Sequence, residues 1–203
     1  MKTDGTSLPF SRDLTEKIMN DLNLTKLLLK KMGSYPRKRG RYNASELYGI
    51  TKGYVTPELW LNPKPKLAKD AIKMWNGTLA HEQIQKLLPK EGCELKREHL
   101  YKGITLVGKA DYQDASDPNS DIWEFKTSDV LMDTAKEGHE YQGRLYCTMF
   151  QRPRTIIYQP VQTADSLFLK NLGFVTRDDE WFDEQMEKLY AFHLKVEPLW
   201  QTT

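Results

Sequence analysis

The chain has 203 residues, of which 39% are hydrophobic and 29% charged, proportions suited to a soluble globular protein with room for one ordinary domain. Its 30 basic and 28 acidic residues leave a formal net charge of +2, so overall charge neither demands nor excludes a polyanionic partner. No apolar run approaches the roughly 20 residues that span a bilayer, and the opening MKTDGTSLPFSRD is too polar for a secretory signal. The two cysteines, Cys93 and Cys147, form neither a disulfide framework nor a CxxC site. A soluble, intracellular protein is expected, with no membrane partner and no cysteine-held cluster.

From Ser11 to Met32, Leu14, Ile18, Leu22, Leu24, Leu27 and Leu28 recur near helical spacing, with Ser11 placed to cap the helix and Gly33 to stop it. The connector KKMGSYPRKRGR follows and brings Lys30, Lys31, Arg37, Lys38, Arg39 and Arg41 together. Such a run serves equally as a solvated linker or as a phosphate contact favoured by counterion release. A proline-broken stretch from Thr56 to Pro65 leads into a second helix, about Lys66 to Leu88. Two β-rich runs, CELKREHLYKG and ITLVGKADYQDA, join near Gly103, and the turn SDPNS separates them from a third strand, DIWEFKT. A helix is expected after Ser128 and up to about Phe150, with an interruption near Gly138. The strand RTIIYQPV and another around Leu167 to Thr176 precede a last helix. That helix opens on Asp178 and Asp179, where negative charge suits the helix dipole, and ends before Pro198. This order predicts an α/β fold, a single domain with a central mixed β-sheet flanked by helices. The domain is placed at residues 41–203, preceded by an N-terminal helix and basic connector over residues 1–40.

The run DIWEFKT carries the most chemistry. Alternation along a strand projects Glu124 and Lys126 together and sends Phe125 into apolar packing. An isolated ExK is more often a surface ion pair. The preceding strand changes its meaning: Asp111 ends an apolar run, Gly108 and Ala110 leave room around it, and a short loop returns the chain to Glu124. If the two strands pair, Asp111 and Glu124 converge, and two close carboxylates repel unless a proton or cation lies between them. Hard divalent cations such as Mg²⁺ are held in this way. His81 lies one turn after Gly77 on the second helix, and Gln142 and Tyr146 share a helix face at i, i+4. Each of these is commonplace alone.

Taken in order, G-x-x-x-H ending at His81, G-K-A-D ending at Asp111, E-F-K from Glu124 to Lys126, and Q-x-x-x-Y from Gln142 to Tyr146 resemble the PD-(D/E)XK nucleases of the RecB exonuclease branch. That branch includes CRISPR-adaptation nucleases and the mitochondrial genome-maintenance exonuclease. The resemblance runs from about Arg41 to Trp200 and includes Ser45, Glu46 and Leu47. It implies a restriction-endonuclease-like core and a Mg²⁺- or Mn²⁺-dependent nuclease that hydrolyses phosphodiester bonds, with DNA, single-stranded or at ends, as substrate. It further implies catalytic roles for Asp111, Glu124 and Lys126, and metal ligation by His81, Asp111, Glu124 and the Phe125 backbone carbonyl. Gln142 and Tyr146 would place the DNA strand, helped by Arg37, Lys38, Arg39 and Arg41 if the connector contacts phosphates. Tyr42, Tyr48 and Tyr146 are candidates to stack on bases. Many members of the branch hold an iron–sulfur cluster on four cysteines, but here Tyr48, Gly49 and Ile50 follow the S-E-L segment and no cysteine follows Cys147. No such cluster is expected. The rival readings are endonucleolytic cutting, RNA as substrate, and a nuclease subunit or DNA-binding component of a CRISPR-associated or repair complex.

Overall fold

The computed structural model describes residue 29, residues 37–64 and residues 67–201. Apart from Leu29, which is helical, the helix expected over Ser11–Met32 and the start of the basic connector lie outside the described residues. The described residues fall into two units, one that includes residues 67–74 and one that includes residues 37–64 and 75–201. All of the described strands belong to the second unit.

The described elements are β1 (Arg41–Asn43), α1 (Ala44–Thr51), α2 (Pro57–Leu61), α3 (Ala68–Gln85), β2 (Cys93–Tyr101), β3 (Ile104–Gln113), β4 (Ile122–Phe125), α4 (Glu137–Met149), β5 (Arg154–Gln162), β6 (Leu167–Thr176) and α5 (Asp179–Val196). The expected mixed sheet flanked by helices is present. Its six strands run in the order β1-β3-β4-β5-β6, with β2 paired to the other edge of β3. The β1–β3 and β4–β5 pairs are parallel and the rest antiparallel. Lys102 and Gly103, at φ 46° and 83°, make the two-residue turn that closes the β2–β3 hairpin.

Several elements start where their local chemistry dictates. Thr56 accepts a hydrogen bond from the Leu59 amide at 3.3 Å and Pro57 follows it, so the stretch read as proline-broken contains a short helix. The Asp178 carboxylate accepts from Trp181 N at 3.0 Å and begins α5 at the expected place. The helix expected from Ser128 begins instead at Glu137. The intervening backbone is committed to the sheet: Met132 N donates to Gln159 Oε1 and Gln159 Nε2 to Val130 O, both at 2.8 Å, while Ala135 N donates to Leu172 O at 3.0 Å. Amides spent on β5 and β6 cannot build helical turns.

The main core joins Ile104, Leu106 and Ala110 of β3 to Leu47 and Ile50 of α1, Leu145 of α4, and Phe182, Met186 and Leu189 of α5. A smaller cluster holds Ile84, Tyr112 and Phe125. The helix α4 lies unusually close to the sheet. A Cβ on Gly143 would stand 3.0 Å from Val175 Cγ2 and 3.2 Å from Thr155 Cγ2, and Thr155 Oγ1 donates to Gly143 O at 2.9 Å. On the strand side, a Cβ on Gly108 would stand 3.0 Å from Tyr146 Cε1 and Met149 Sδ.

Along β3 the ladder is discontinuous. One edge is taken by β2 over nearly its whole length. On the other edge, β1 pairs with Thr105–Val107 and β4 only with Tyr112 and Gln113. No described strand lies beside the segment from Gly108 to Asp111 on that edge.

Because α4 is seated by these two glycines, Gly143→Val should lower stability by about 1–3 kcal/mol through overpacking. Urea denaturation followed by circular dichroism measures this, and an unchanged midpoint would show that α4 can lift without cost.

Candidate active site

The discontinuity in β3 is where the candidate residues meet. Asp111 and Glu124 face each other one residue beyond the last β3–β4 pair, Tyr112↔Trp123. In place of ladder bonds, Asp111 N donates to Glu124 Oε1 at 3.3 Å and Phe125 N donates to Asp111 Oδ2 at 2.7 Å. Each carboxylate thus holds the backbone of the other strand. The remaining oxygens meet cationic or polar groups: His81 Nδ1 stands 3.2 Å from Asp111 Oδ1, and Lys126 Nζ donates to Glu124 Oε2 at 2.8 Å.

The network continues into α4. Lys126 Nζ also donates to Gln142 Oε1 at 2.9 Å, Gln142 Nε2 donates to the Tyr146 hydroxyl at 2.7 Å, and that hydroxyl accepts from Lys109 N at 3.4 Å. His81, Asp111, Glu124, Lys126, Gln142 and Tyr146 therefore form one connected chain of contacts. From α3, Gly77 brings the helix close to the strand end: a Cβ there would lie 2.8 Å from Thr127 Oγ1. Phe125 packs its ring edge-on to His81, with centroids 5.9 Å apart, and is buried as expected.

The two carboxylates are buried and their charges act on one another. Asp111 is 7% exposed and Glu124 1%. Burial, then the neighbouring Asp111 carboxylate, pushes the Glu124 carboxyl up, with Lys126 opposing. Burial works against charge on Lys126, but Glu124 and Asp111 outweigh it and the ammonium is held charged more firmly than usual. Burial likewise disfavours charge on His81, yet the Asp111 and Glu124 carboxylates carry the net shift upward. Among the described residues, no group of three or more His, Cys, Asp or Glu side chains stands ready to hold a metal ion. The donor chemistry nevertheless fits one: two buried carboxylates and an imidazole are the donors a Mg²⁺ or Mn²⁺ ion takes, and a cation would relieve the repulsion that raises Glu124.

Two expectations about aromatic residues are corrected. The Tyr42 ring is fully buried beneath Trp60, with its hydroxyl 3.0 Å from His193 Nδ1. Tyr146 is 3% exposed and spends its hydroxyl on Gln142 and Lys109 N. Neither ring can stack on a base. The half-buried Tyr48 donates to Glu137 at 2.9 Å. Of the basic connector, Arg37 pairs with Glu46 and lies over the Trp60 ring, Arg39 pairs with Glu197, and Arg41 pairs with Glu98 at 2.5 Å. Lys38 is exposed. Cys147 is buried against Thr155, in packing rather than in the site.

Two neighbours of the site escaped sequence reasoning. Gln85, one turn after His81, donates to Asp111 O at 3.4 Å and so ties α3 to β3. His139, three residues before Gln142, has its pKa lowered to about 4 by burial and by the charges of Lys126 and Lys136. Both stand at i±3 or i±4 from a named residue, the spacing that could have identified them.

No family model matches the sequence, and no curated protein does. Solved structures do. SSO0001 matches with a TM-score of 0.59 at 16% identity, covering 84% of this chain and 85% of that one. An alkaline exonuclease from Laribacter hongkongensis, LHK-Exo, matches with a TM-score of 0.54 at 14% identity, over 79% of this chain and 89% of its own; it has also been solved in complex with dAMP. A phage-related exonuclease from Haemophilus somnus 129PT matches with a TM-score of 0.50 at 14% identity, over 88% of this chain and 99% of its own. At these identities the likeness is one of fold.

The raised Glu124 pKa makes a signed prediction. Relative to its ordinary value of 4.5, the folded protein favours the protonated carboxyl; this contribution to stability is complete below that value and is lost as pH rises through the folded pKa. In EDTA, Glu124→Gln should therefore melt at a higher temperature than the unmodified protein at pH 8, with the difference shrinking at pH 5. A lower melting temperature at pH 8 would show that the Lys126 pair outweighs burial and repulsion.

Proposed function

We propose that this chain is a metal-dependent DNA nuclease that hydrolyses phosphodiester bonds, acting on single-stranded DNA or DNA ends. The observation that carries the reading is the meeting of Asp111, Glu124, Lys126 and His81 in the gap along β3, with Gln142 and Tyr146 joined to them. The exonucleases among the solved structures of similar fold support the same class of reaction, and the dAMP complex of LHK-Exo fits nucleotide binding.

Asp111, Glu124 and His81 would hold Mg²⁺ or Mn²⁺, with the Phe125 carbonyl a further donor. When bound, such an ion lowers the pKa of coordinated water and neutralises charge on the phosphoryl oxygens. The protein's own residues account for the rest. Lys126, fixed between Glu124 and Gln142 and held charged, suits the stabilisation of developing negative charge and the orientation of the attacking water better than proton abstraction. Gln142 fixes the ammonium by accepting from it, and Tyr146 fixes Gln142. The buried surroundings strengthen each of these interactions by excluding water. The basic connector remains our candidate for phosphate contact: Lys38 is exposed, and exposed arginine ion pairs are weak enough to be exchanged for phosphates.

The test is incubation of end-labelled linear and circular single-stranded DNA with Mg²⁺, Mn²⁺ or EDTA. Degradation of the linear substrate with metal, and none in EDTA, is expected. Asp111→Ala and Glu124→Ala should abolish it while the domain stays folded, and Lys126→Ala should slow it by about 10²–10³-fold. His81→Ala should weaken Mn²⁺ binding measured by calorimetry. Near-normal cleavage by a folded Glu124→Ala protein would remove the central claim, and rapid loss of the circular substrate would replace end-dependent with internal cutting.

A further inference from the structure

An ion pair beside the site has no part in the network described above. Lys109 stands two residues before Asp111 on β3, about 6.6 Å along the strand. The two side chains project from the same face of the strand. Asp111 meets His81, while Lys109 pairs with Glu94, whose Oε1 accepts from Gln85 Nε2 at 3.0 Å. His81 and Gln85 are themselves one turn apart on the same helix. The two positions are thus separated along the backbone by a step on the scale of one nucleotide in an extended strand.

The pairing of Lys109 is local and open to solvent. Its side chain is 55% exposed and that of Glu94 40%. Glu94 sits opposite Asp111, between the paired residues Cys93↔Tyr112 and Leu95↔Ala110, with φ at 57°, a conformation costly for a residue with a side chain. Lys109 and Gln85 both donate to its carboxylate, so the strained residue presents an anion beside the site. Lys126, by contrast, is committed inside the pocket to Glu124 and Gln142.

We propose that Lys109 binds the DNA phosphate adjacent to the scissile one, and that the Glu94 carboxylate occupies its ammonium until DNA arrives. The proposal rests on the nuclease reading and adds a substrate contact to it. An exposed ion pair is weak, and a phosphate brings counterion release that Glu94 cannot, so exchange of partners favours the bound strand.

The two partners must then respond in opposite directions. Binding of labelled single-stranded DNA is measured in EDTA by fluorescence anisotropy across a series of salt concentrations, with Mn²⁺ affinity measured separately by calorimetry. Lys109→Met, which keeps the aliphatic stem, should weaken DNA binding about tenfold and flatten the salt slope by about 0.7. Glu94→Gln, which keeps its acceptor for Gln85, should tighten binding by about two- to fivefold. Mn²⁺ affinity should be unchanged in both. Weaker DNA binding in both variants would mark the pair as purely structural and overturn the proposal, as would an unaltered salt slope in Lys109→Met. If the unmodified protein degrades DNA with metal while Lys109→Met binds normally, this inference alone falls. If the unmodified protein cuts no DNA with Mg²⁺ or Mn²⁺, the nuclease reading falls and takes the inference with it.

Discussion

Two backbone amides on one edge of β3, those of Lys109 and Asp111, have no strand among the described residues to bond to. A buried amide left alone costs about 1–3 kcal/mol, so a gap of this kind survives only if something else fills it. Here the fillers are the Tyr146 hydroxyl and the Glu124 carboxylate, and Asp111 returns the favour by taking the Phe125 amide of the neighbouring strand. The side chains that gather the chemistry are thus the ones that close the sheet. The parting of β3 from β4 makes room for a cluster of charge, and the cluster makes the parting tolerable.

The same arrangement explains why the charges can be buried at all. Two carboxylates this deeply enclosed are costly, and the protein offsets the cost with donors from four directions: two amides from the split strands, an imidazole from α3 and an ammonium at the end of β4. The compensation is incomplete, since Glu124 still resists ionisation. That residual strain lies where a divalent cation would be most welcome. The close seating of α4 on Gly108 and Gly143 brings Gln142 within reach of Lys126; α3 is brought in by Gly77 and fastened by Gln85.

Much of this was legible from residues alone. Alternation in DIWEFKT and the hairpin after Asp111 were enough to bring Asp111, Glu124 and Lys126 together, because strand geometry leaves little freedom over two residues. Helical spacing likewise paired Gln142 with Tyr146 and located α5 by its Asp178 cap. What could not be read was which long-range partner each group would find. Residues 127–136 carry no periodicity that reveals their amides bonding to Gln159 and Leu172, so they passed for helix. Tyr42 and Tyr146, expected as rings that stack on bases, are core residues with polar tips. The arginines of the connector meet Glu46, Glu197 and Glu98, the last two far away in sequence.

The position of the Tyr146 hydroxyl bears on how variation at this residue should be interpreted. A phenylalanine would fill the same space against Phe150 and Gly108 and would look conservative by shape. It would take away the acceptor of the Lys109 amide and loosen Gln142 at the same moment. A protein weakened by that exchange would have lost a rung of its sheet before it lost any grip on a substrate. The tyrosine of Q-x-x-x-Y is therefore architecture first, and a defect at Tyr146 does not by itself identify a contact with nucleic acid.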